Sequence, residues 1–358
     1  MRILMVARRW PPDVRSGTET VFENLWRQAV AAGHDVRLVV GFRTSPVGFP
    51  ASAVTVDLRG KGPLTYVAME RAAVSEARSF KPDAVLSNSI EVRVPGVRNV
   101  VIVHDLNFGA AGQRTSGHRA RELLYRVQAV TGAVIVTVSQ ATGEALSALG
   151  IRATVIPNGV DLERFTPVSP GLPAGGAPAS GDRPAVRFVY PSRILPGKGQ
   201  HVALDAFGRI RPDQRKGWEL VLVGAAADRI YADQLKVQAY KLPVRIELDV
   251  PDIVPYYQQA DVVLFPTRMT EGFGFTAVDG MACGKPVIWS EQPAIREATG
   301  GIGIAVPMDD AEALKSAMLE LGNDPAARDR IGREGRVFVQ RYSWIEVWKR
   351  YERVLDRG

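Results

Sequence analysis

The sequence predicts an α/β protein of two doubly wound units in tandem, each a parallel sheet covered by helices. Three observations carry this. Short β-branched runs that are apolar at every position alternate with amphipathic stretches. That alternation occurs twice along the chain. A segment with almost nothing to bury separates the two series. A strand covered on both faces has no polar side and reads as a continuous apolar run, the mark of a parallel sheet between helices.

The first series supplies strands at 3–6, 36–40, 84–87, 100–104, 133–138 and 154–156. Helices are predicted at 21–32, closed by Gly33, and at 64–80; a glycine just past the last helical turn is a common stop. Residues 166–184 read TPVSPGLPAGGAPASGDRP, a flexible linker by composition. The second series supplies strands at 186–190, 219–223, 244–246, 262–265 and 287–289. Its helices fall at 200–210, 275–282, 311–321 and 326–340, and a last helix at 344–355 closes the chain. The expected domains are therefore 1–165, with the final helix at about 343–358 packing back on it, and 185–342. Two such units imply a cleft, with ligands at the carboxyl ends of the strands.

Bulk properties narrow the function. The 358 residues suit two domains. A net charge of +7 suits anionic partners, although the excess is spread along the chain and also fits simple solubility. A single cysteine, Cys283, excludes a disulfide framework and reads as a small core residue. The start, MRILMVARRWPPD, puts its arginines after the apolar run, the reverse of a signal peptide. No run approaches the ~18 apolar residues of a spanning helix. The expected location is cytoplasmic. No close His/Cys set and no DxD triplet is present, so no metal site is expected. There is also no GxSxG elbow and no GxxxxGK[ST] loop.

Two segments carry candidate chemistry. In TRMTEGFGFTAVDGMACGKP, residues 267–286, Gly272 and Gly274 let backbone approach a ligand. The N–H groups of Phe275 and Thr276 then leave the start of a helix, a ready site for a phosphate. Glu271 before the helix and Asp279 one turn inside it can accept hydrogen bonds from sugar and ribose hydroxyls. The alternative is an ordinary loop and helix with a capping acid. In PSRILPGKGQH, Arg193 and Lys198 would project from the end of a strand, where a guanidinium fork and a mobile ammonium can neutralise a diphosphate. A solvated turn explains them equally well in isolation. Ser16–Gly17–Thr18 opens another helix, and His104 ends a strand where it could bond a hydroxyl or share a proton. His34 reads as a helix-to-strand turn, and His118 and His201 have no visible partners in the sequence.

Taken in order, SGTE, HD, VS, IPNGVD, SR…GKG and the E-x7-D spacing of EGFGFTAVDGMACGKPV resemble the family 4 (GT4) glycosyltransferases of the GT-B fold, two Rossmann-like domains facing across a cleft. The resemblance runs from Arg2 to about Asp310. It implies a retaining transfer, without metal or other cofactor, from a UDP- or GDP-linked sugar to a glycan, lipid-linked glycan or small-molecule hydroxyl. Arg193 and Lys198 would bind the donor diphosphate, and Glu271 would stand near the transferred sugar. Asp279 would hold the ribose, and the backbone of Gly272, Phe273 and Gly274 would meet sugar hydroxyls. Phe275 and Thr276 would start the phosphate-facing helix. Gly17 would approach the phosphate from the first domain, and His104 would line the catalytic centre.

The chain departs from the family pattern at Asp279, where Glu is usual, at Ser16, where glycine is usual, and across 290–296, which lacks a Gly-Gly pair. Acceptor-side walls are expected at 41–50, 88–98 and 107–117. The stretch 114–126, with Arg114, Arg119, Arg121 and Arg126, reads as a solvated basic helix or as a contact with an anionic membrane or acceptor. A nucleotide-sugar epimerase, a phosphorylase and a non-catalytic nucleotide-sugar-binding module remain competing readings. Nucleic-acid binding is not expected, because no basic–aromatic platform is visible.

Overall fold

The computed structural model describes residues 1–11, 17–45, 48–61, 64–88, 92–106, 116–168 and 184–356, with side chains of 116–121 excepted. Ser16, most of the linker stretch, and the wall and basic residues at 107–115 lie outside this set. The chain divides into two compact units. One comprises Met1–Gly159 with Trp344–Gly358, and the other Val160–Ser343.

Among the described residues the first unit holds seven parallel strands: β1 (Arg2–Ala7), β2 (Asp35–Phe42), β3 (Ala53–Asp57), β4 (Ala84–Ser87), β5 (Arg98–Val103), β6 (Val134–Thr137) and β7 (Thr154–Val155). Their order is β3-β2-β1-β4-β5-β6-β7, so the winding reverses between β1 and β4. The helices are α1 (Gly17–Ala31), α2 (Leu64–Phe80), α3 (Ser116–Val130) and α4 (Gln140–Ser147). Met69 and Ala73 of α2 pack with Leu4, Val6, Val39 and Val85 of the sheet. Tyr125 of α3 and Leu146 of α4 pack with Val101, Val103 and Ile135.

The second unit repeats the scheme with β8 (Val186–Pro191), β9 (Trp218–Gly224), β10 (Val244–Leu248), β11 (Val262–Phe265), β12 (Val287–Ser290) and β13 (Ile304–Val306). Their order is β10-β9-β8-β11-β12-β13, all parallel, with the reversal between β8 and β11. Around them lie α5 (Gln200–Arg209), α6 (Arg229–Gln238), α7 (Val254–Gln259), α8 (Phe275–Ala282), α9 (Pro293–Thr299), α10 (Ala311–Asn323) and α11 (Pro325–Phe338).

The last helix, α12 (Trp344–Asp356), belongs to the first unit and packs on α1 and beside β4 and β5. Trp348, Tyr351 and Leu355 are its buried stripe. His34, in the turn before β2, pairs its Nε2 with Glu352 at 2.8 Å, and Arg98 Nε donates to the Val354 carbonyl at 2.7 Å.

The boundary falls at Gly159 rather than at 165. Residues 160–165 are stitched to the second unit. Val160 N–H donates to the Tyr342 carbonyl at 2.8 Å, and the Arg336 guanidinium bonds the Leu162, Phe165 and Ala282 carbonyls. Among the described residues no helix is long and apolar enough to cross a membrane.

Candidate functional site

In an open doubly wound sheet the loops that leave the two strands flanking the reversal diverge and open a crevice at their carboxyl ends. In the second unit those strands are β8 and β11, and the two segments singled out from sequence are the loops that follow them. The loop after β8 passes through Arg193 and a 3₁₀ turn at Pro196–Lys198 into α5. The loop after β11 passes through Thr267 and Glu271 to Gly274 at the head of α8.

The loops are sewn together. Arg268 N–H donates to the Gly197 carbonyl at 3.0 Å. Gly199 adopts φ +76°, and a Cβ there would lie 2.2 Å from the Pro266 carbonyl oxygen, so only glycine closes this joint. Buried Tyr190 on β8 donates its hydroxyl to the Lys198 carbonyl. Its pKa is pushed well above the usual phenol value, first by burial and then by the Glu271 charge.

These ties bring Lys198 Nζ to 2.6 Å from Glu271 Oε1, with both side chains only 13–15% exposed. Thr267 Oγ1 donates to the same oxygen at 2.8 Å. Arg193 differs. It is exposed, and its guanidinium has no ion pair or hydrogen bond among the described residues; only its backbone carbonyl is used, accepting from Gln200 Nε2 at 2.8 Å. One cation is therefore held in reserve on a carboxylate, and the other is free for an incoming anion.

Gly274 caps α8 at φ +103° with no side-chain cap bond. The first N–H groups of a helix have no partner within it, so α8 presents unspent donors and positive partial charge. The Thr276 hydroxyl is not among them. It donates to the Pro191 carbonyl at 3.0 Å and ties α8 to the end of β8, leaving Thr276 only its backbone N–H for a ligand. The Phe273 ring is buried against Phe275 and Tyr342, with centroids 5.3 and 5.4 Å away. What Phe273 can offer a ligand is likewise backbone. Of the glycine pair, Gly274 is the one in the left-handed region, with Gly272 half-buried before it.

Asp279 lies one turn inside α8, its carboxyl without a hydrogen-bond partner among the described residues. Burial pushes its carboxyl up to about 8; Arg164 opposes this and Asp161 adds to it. Near neutrality it is largely protonated, and so can donate to a hydroxyl as well as accept from one. Cys283, in the same neighbourhood, is buried and pushed up to about 12.

In the first unit, His104 follows β5. Its Nε2 is buried with no hydrogen-bond partner among the described residues, and burial lowers its pKa to about 4 despite the nearby Asp105. It is a neutral imidazole at physiological pH. Gly17 is exposed as the first residue of α1. His201, without a visible partner in the sequence, has one in space: its Nδ1 lies 2.8 Å from the Tyr231 hydroxyl. Sequence reasoning also passed over Thr267 and Gln292, which hold the Glu271 segment. No motif marks them: the partners of Gln292 lie on a separate loop, and Thr267 turns back within its own loop onto Met269 and Glu271.

Two cations and a helix N-terminus at the switch point of a doubly wound unit have the chemistry to meet a phosphorylated ligand. Comparison with known proteins makes this specific. A family model described as Glycosyltransferase Family 4 matches residues 15–164, and one described as Glycosyl transferases group 1 matches residues 185–324. A glycogen synthase of Mycobacterium tuberculosis is 28% identical over an alignment covering 94% of this chain and 89% of that one. A GDP-mannose-dependent monoacylated alpha-(1-6)-phosphatidylinositol monomannoside mannosyltransferase of Corynebacterium glutamicum is 28% identical over 59% of this chain, a stretch that spans 58% of the relative. In structure the chain is similar to a sucrose-phosphate synthase of Thermosynechococcus elongatus (TM-score 0.81, 20% identity, covering 99% and 98% of the two chains). It is also similar to Anabaena HepE in complex with UDP (TM-score 0.80, 19% identity, both chains covered fully). The chain belongs to the family 4 glycosyltransferases, enzymes of the GT-B fold acting on nucleotide sugars.

The Asp279 environment has a measurable consequence. Folding raises this carboxyl from its ordinary 3.8 to about 8, so between those values the folded protein keeps a proton that the unfolded chain has released. Asp279 therefore lowers stability progressively as pH rises from 4 to 8. Asp279→Asn should gain thermal stability over the native protein at pH 8 and gain less at pH 5, as read by differential scanning calorimetry. A gain independent of pH would show that the carboxyl is ionised throughout.

Proposed function

We propose that this chain transfers a sugar, with retention at the anomeric carbon and without metal, from a UDP- or GDP-linked donor to a hydroxyl acceptor. The acceptor is a glycan, a lipid-linked glycan or a small molecule. The observation that carries the reading is the pairing of a free Arg193 with a Lys198 held on Glu271, at the switch point beside the start of α8.

The diphosphate of the donor takes Arg193, the first N–H groups of α8 and, by competition with Glu271, Lys198. These donors stand ready before reaction and stabilise the negative charge that grows on the leaving oxygen. The bond from the anomeric carbon to that oxygen breaks as the acceptor oxygen bonds to the same face. The acceptor proton passes to the departing diphosphate oxygen. The front-face route, rather than a glycosyl-enzyme, rests on the family resemblance. Asp279 serves the ribose and neutral His104 a sugar hydroxyl, roles that rest on the family resemblance. With the cations in place to meet the diphosphate, neither a metal nor another cofactor is required.

A cytoplasmic location and peripheral contact with an anionic membrane extend the proposal. The support is on α3, where Leu123, Val127 and Val130 are 62%, 45% and 83% exposed along one side with exposed Arg126. An apolar stripe beside basic residues suits an anionic lipid surface.

Arg193→Ala and Lys198→Ala should each lower transfer by about 10²–10³-fold with the fold preserved by circular dichroism. Near-normal turnover in either would overturn the assignment. A chelator should leave native turnover unchanged. Vesicles rich in anionic lipid should sediment the protein at low salt and release it at high salt, with Leu123→Ser weakening the association. Equal recovery with neutral vesicles would argue against the membrane contact.

A further inference from the structure

Gln292 sits at the cap position of α9, in extended backbone (φ −145°, ψ 144°), yet its side chain makes no cap bond there. It is 5% exposed and reaches across to the loop after β11. Its Oε1 accepts from Glu271 N–H at 3.0 Å, and its Nε2 donates to the Met269 carbonyl at 2.9 Å and the Thr267 carbonyl at 3.4 Å. A carboxamide has one oxygen and one NH₂, and both are spent on a single turn of another loop. Thr267 completes the arrangement: its hydroxyl accepts from Met269 N–H at 3.3 Å and donates to the Glu271 carboxylate. The backbone of the Glu271 turn is thus held by Gln292, and its carboxylate by Thr267 and Lys198. This stands in 290–296, where the chain departs from the family's Gly-Gly pattern.

We propose that Gln292 is a positioning residue for the transfer reaction: by clamping the 267–271 turn it sets where the Glu271 carboxylate stands relative to the sugar. The proposal rests on the donor reading given above. No other residue type of this length offers an acceptor to Glu271 N–H and donors to two carbonyls. Methionine keeps the length and loses the polarity. Asparagine keeps the polarity, and is a better helix cap, but is one methylene too short to reach the turn.

The test compares native protein, Gln292→Asn, Gln292→Met, Glu271→Gln and the Gln292→Met/Glu271→Gln double variant. The donor is the best stabiliser found among UDP- and GDP-sugars by thermal shift. Melting temperature, binding of the free nucleoside diphosphate, kcat and donor KM are measured for each. Gln292→Asn should remain folded at the assay temperature, with a modestly lowered melting temperature, and bind the diphosphate within about twofold of native, while kcat falls by about tenfold or more. Gln292→Met should slow the native enzyme similarly and should not slow Glu271→Gln further, since residues acting through one another are not additive. Native-like kcat in Gln292→Asn, or losses that multiply in the double variant, would overturn the proposal while leaving the donor site standing. Failure of the native protein to bind a nucleoside diphosphate or transfer sugar would overturn the donor reading, and this proposal with it.

Discussion

The ion pair between Lys198 and Glu271 is the constraint around which the second unit's site is organised. Both groups are largely withdrawn from water, and a charge in that position needs a partner close at hand. Removing one member of a buried pair costs about 3–5 kcal/mol, because the other is left uncompensated. Holding the pair at hydrogen-bond distance requires the loops after β8 and β11 to meet in one register. Gly199 against Pro266, the Gly197–Arg268 backbone bond, the Tyr190 hydroxyl on the Lys198 carbonyl and the Gln292 clamp all serve that meeting. On the proposed function the pair also sets the chemistry: an arriving diphosphate would compete with Glu271 for Lys198, while the Arg193 guanidinium is unpaired among the described residues.

The three acidic and imidazole groups given roles here differ by environment. Glu271 is paired with a cation and a hydroxyl. Asp279 is raised to about 8 by burial, so its donor as well as its acceptor capacity is in play near neutrality. His104 is lowered to about 4 and stays neutral. On the proposed function the charges that meet the leaving group are therefore Arg193 and Lys198, while Asp279 and His104, assigned to hydroxyls, are only partly charged or uncharged. That division suits a transfer in which negative charge develops on the diphosphate.

Much of this was legible in the sequence, for physical reasons. Strands buried on both faces read as unbroken apolar runs, and Ala84–Ser87 and Val262–Phe265 fall where expected. Long amphipathic helices such as Leu64–Phe80 were equally plain. Elements lacking those signals were missed. The edge strand Ala53–Asp57 has no buried residue, Ile304–Val306 is three residues beside glycines, and α7 and α9 are six and seven residues long. At the site, cations and acids on glycine-rich turns were readable from chemistry. Gln292 and the Tyr231 partner of His201 were not, because each acts across a sequence gap that only tertiary packing closes; Thr267 was not, because its bond to Glu271 depends on how the turn between them folds.

The most direct test of the central claim is the affinity of a free nucleoside diphosphate for the Glu271→Gln variant, measured by titration calorimetry beside the native protein and Lys198→Ala. If Glu271 holds Lys198 in reserve, neutralising it frees the ammonium and removes a repelling charge. The diphosphate should then bind several-fold tighter than to native protein, while Lys198→Ala binds more weakly and Glu271→Gln loses transfer. Weaker binding in Glu271→Gln would contradict the account, since the carboxylate would then be supporting the diphosphate rather than competing with it.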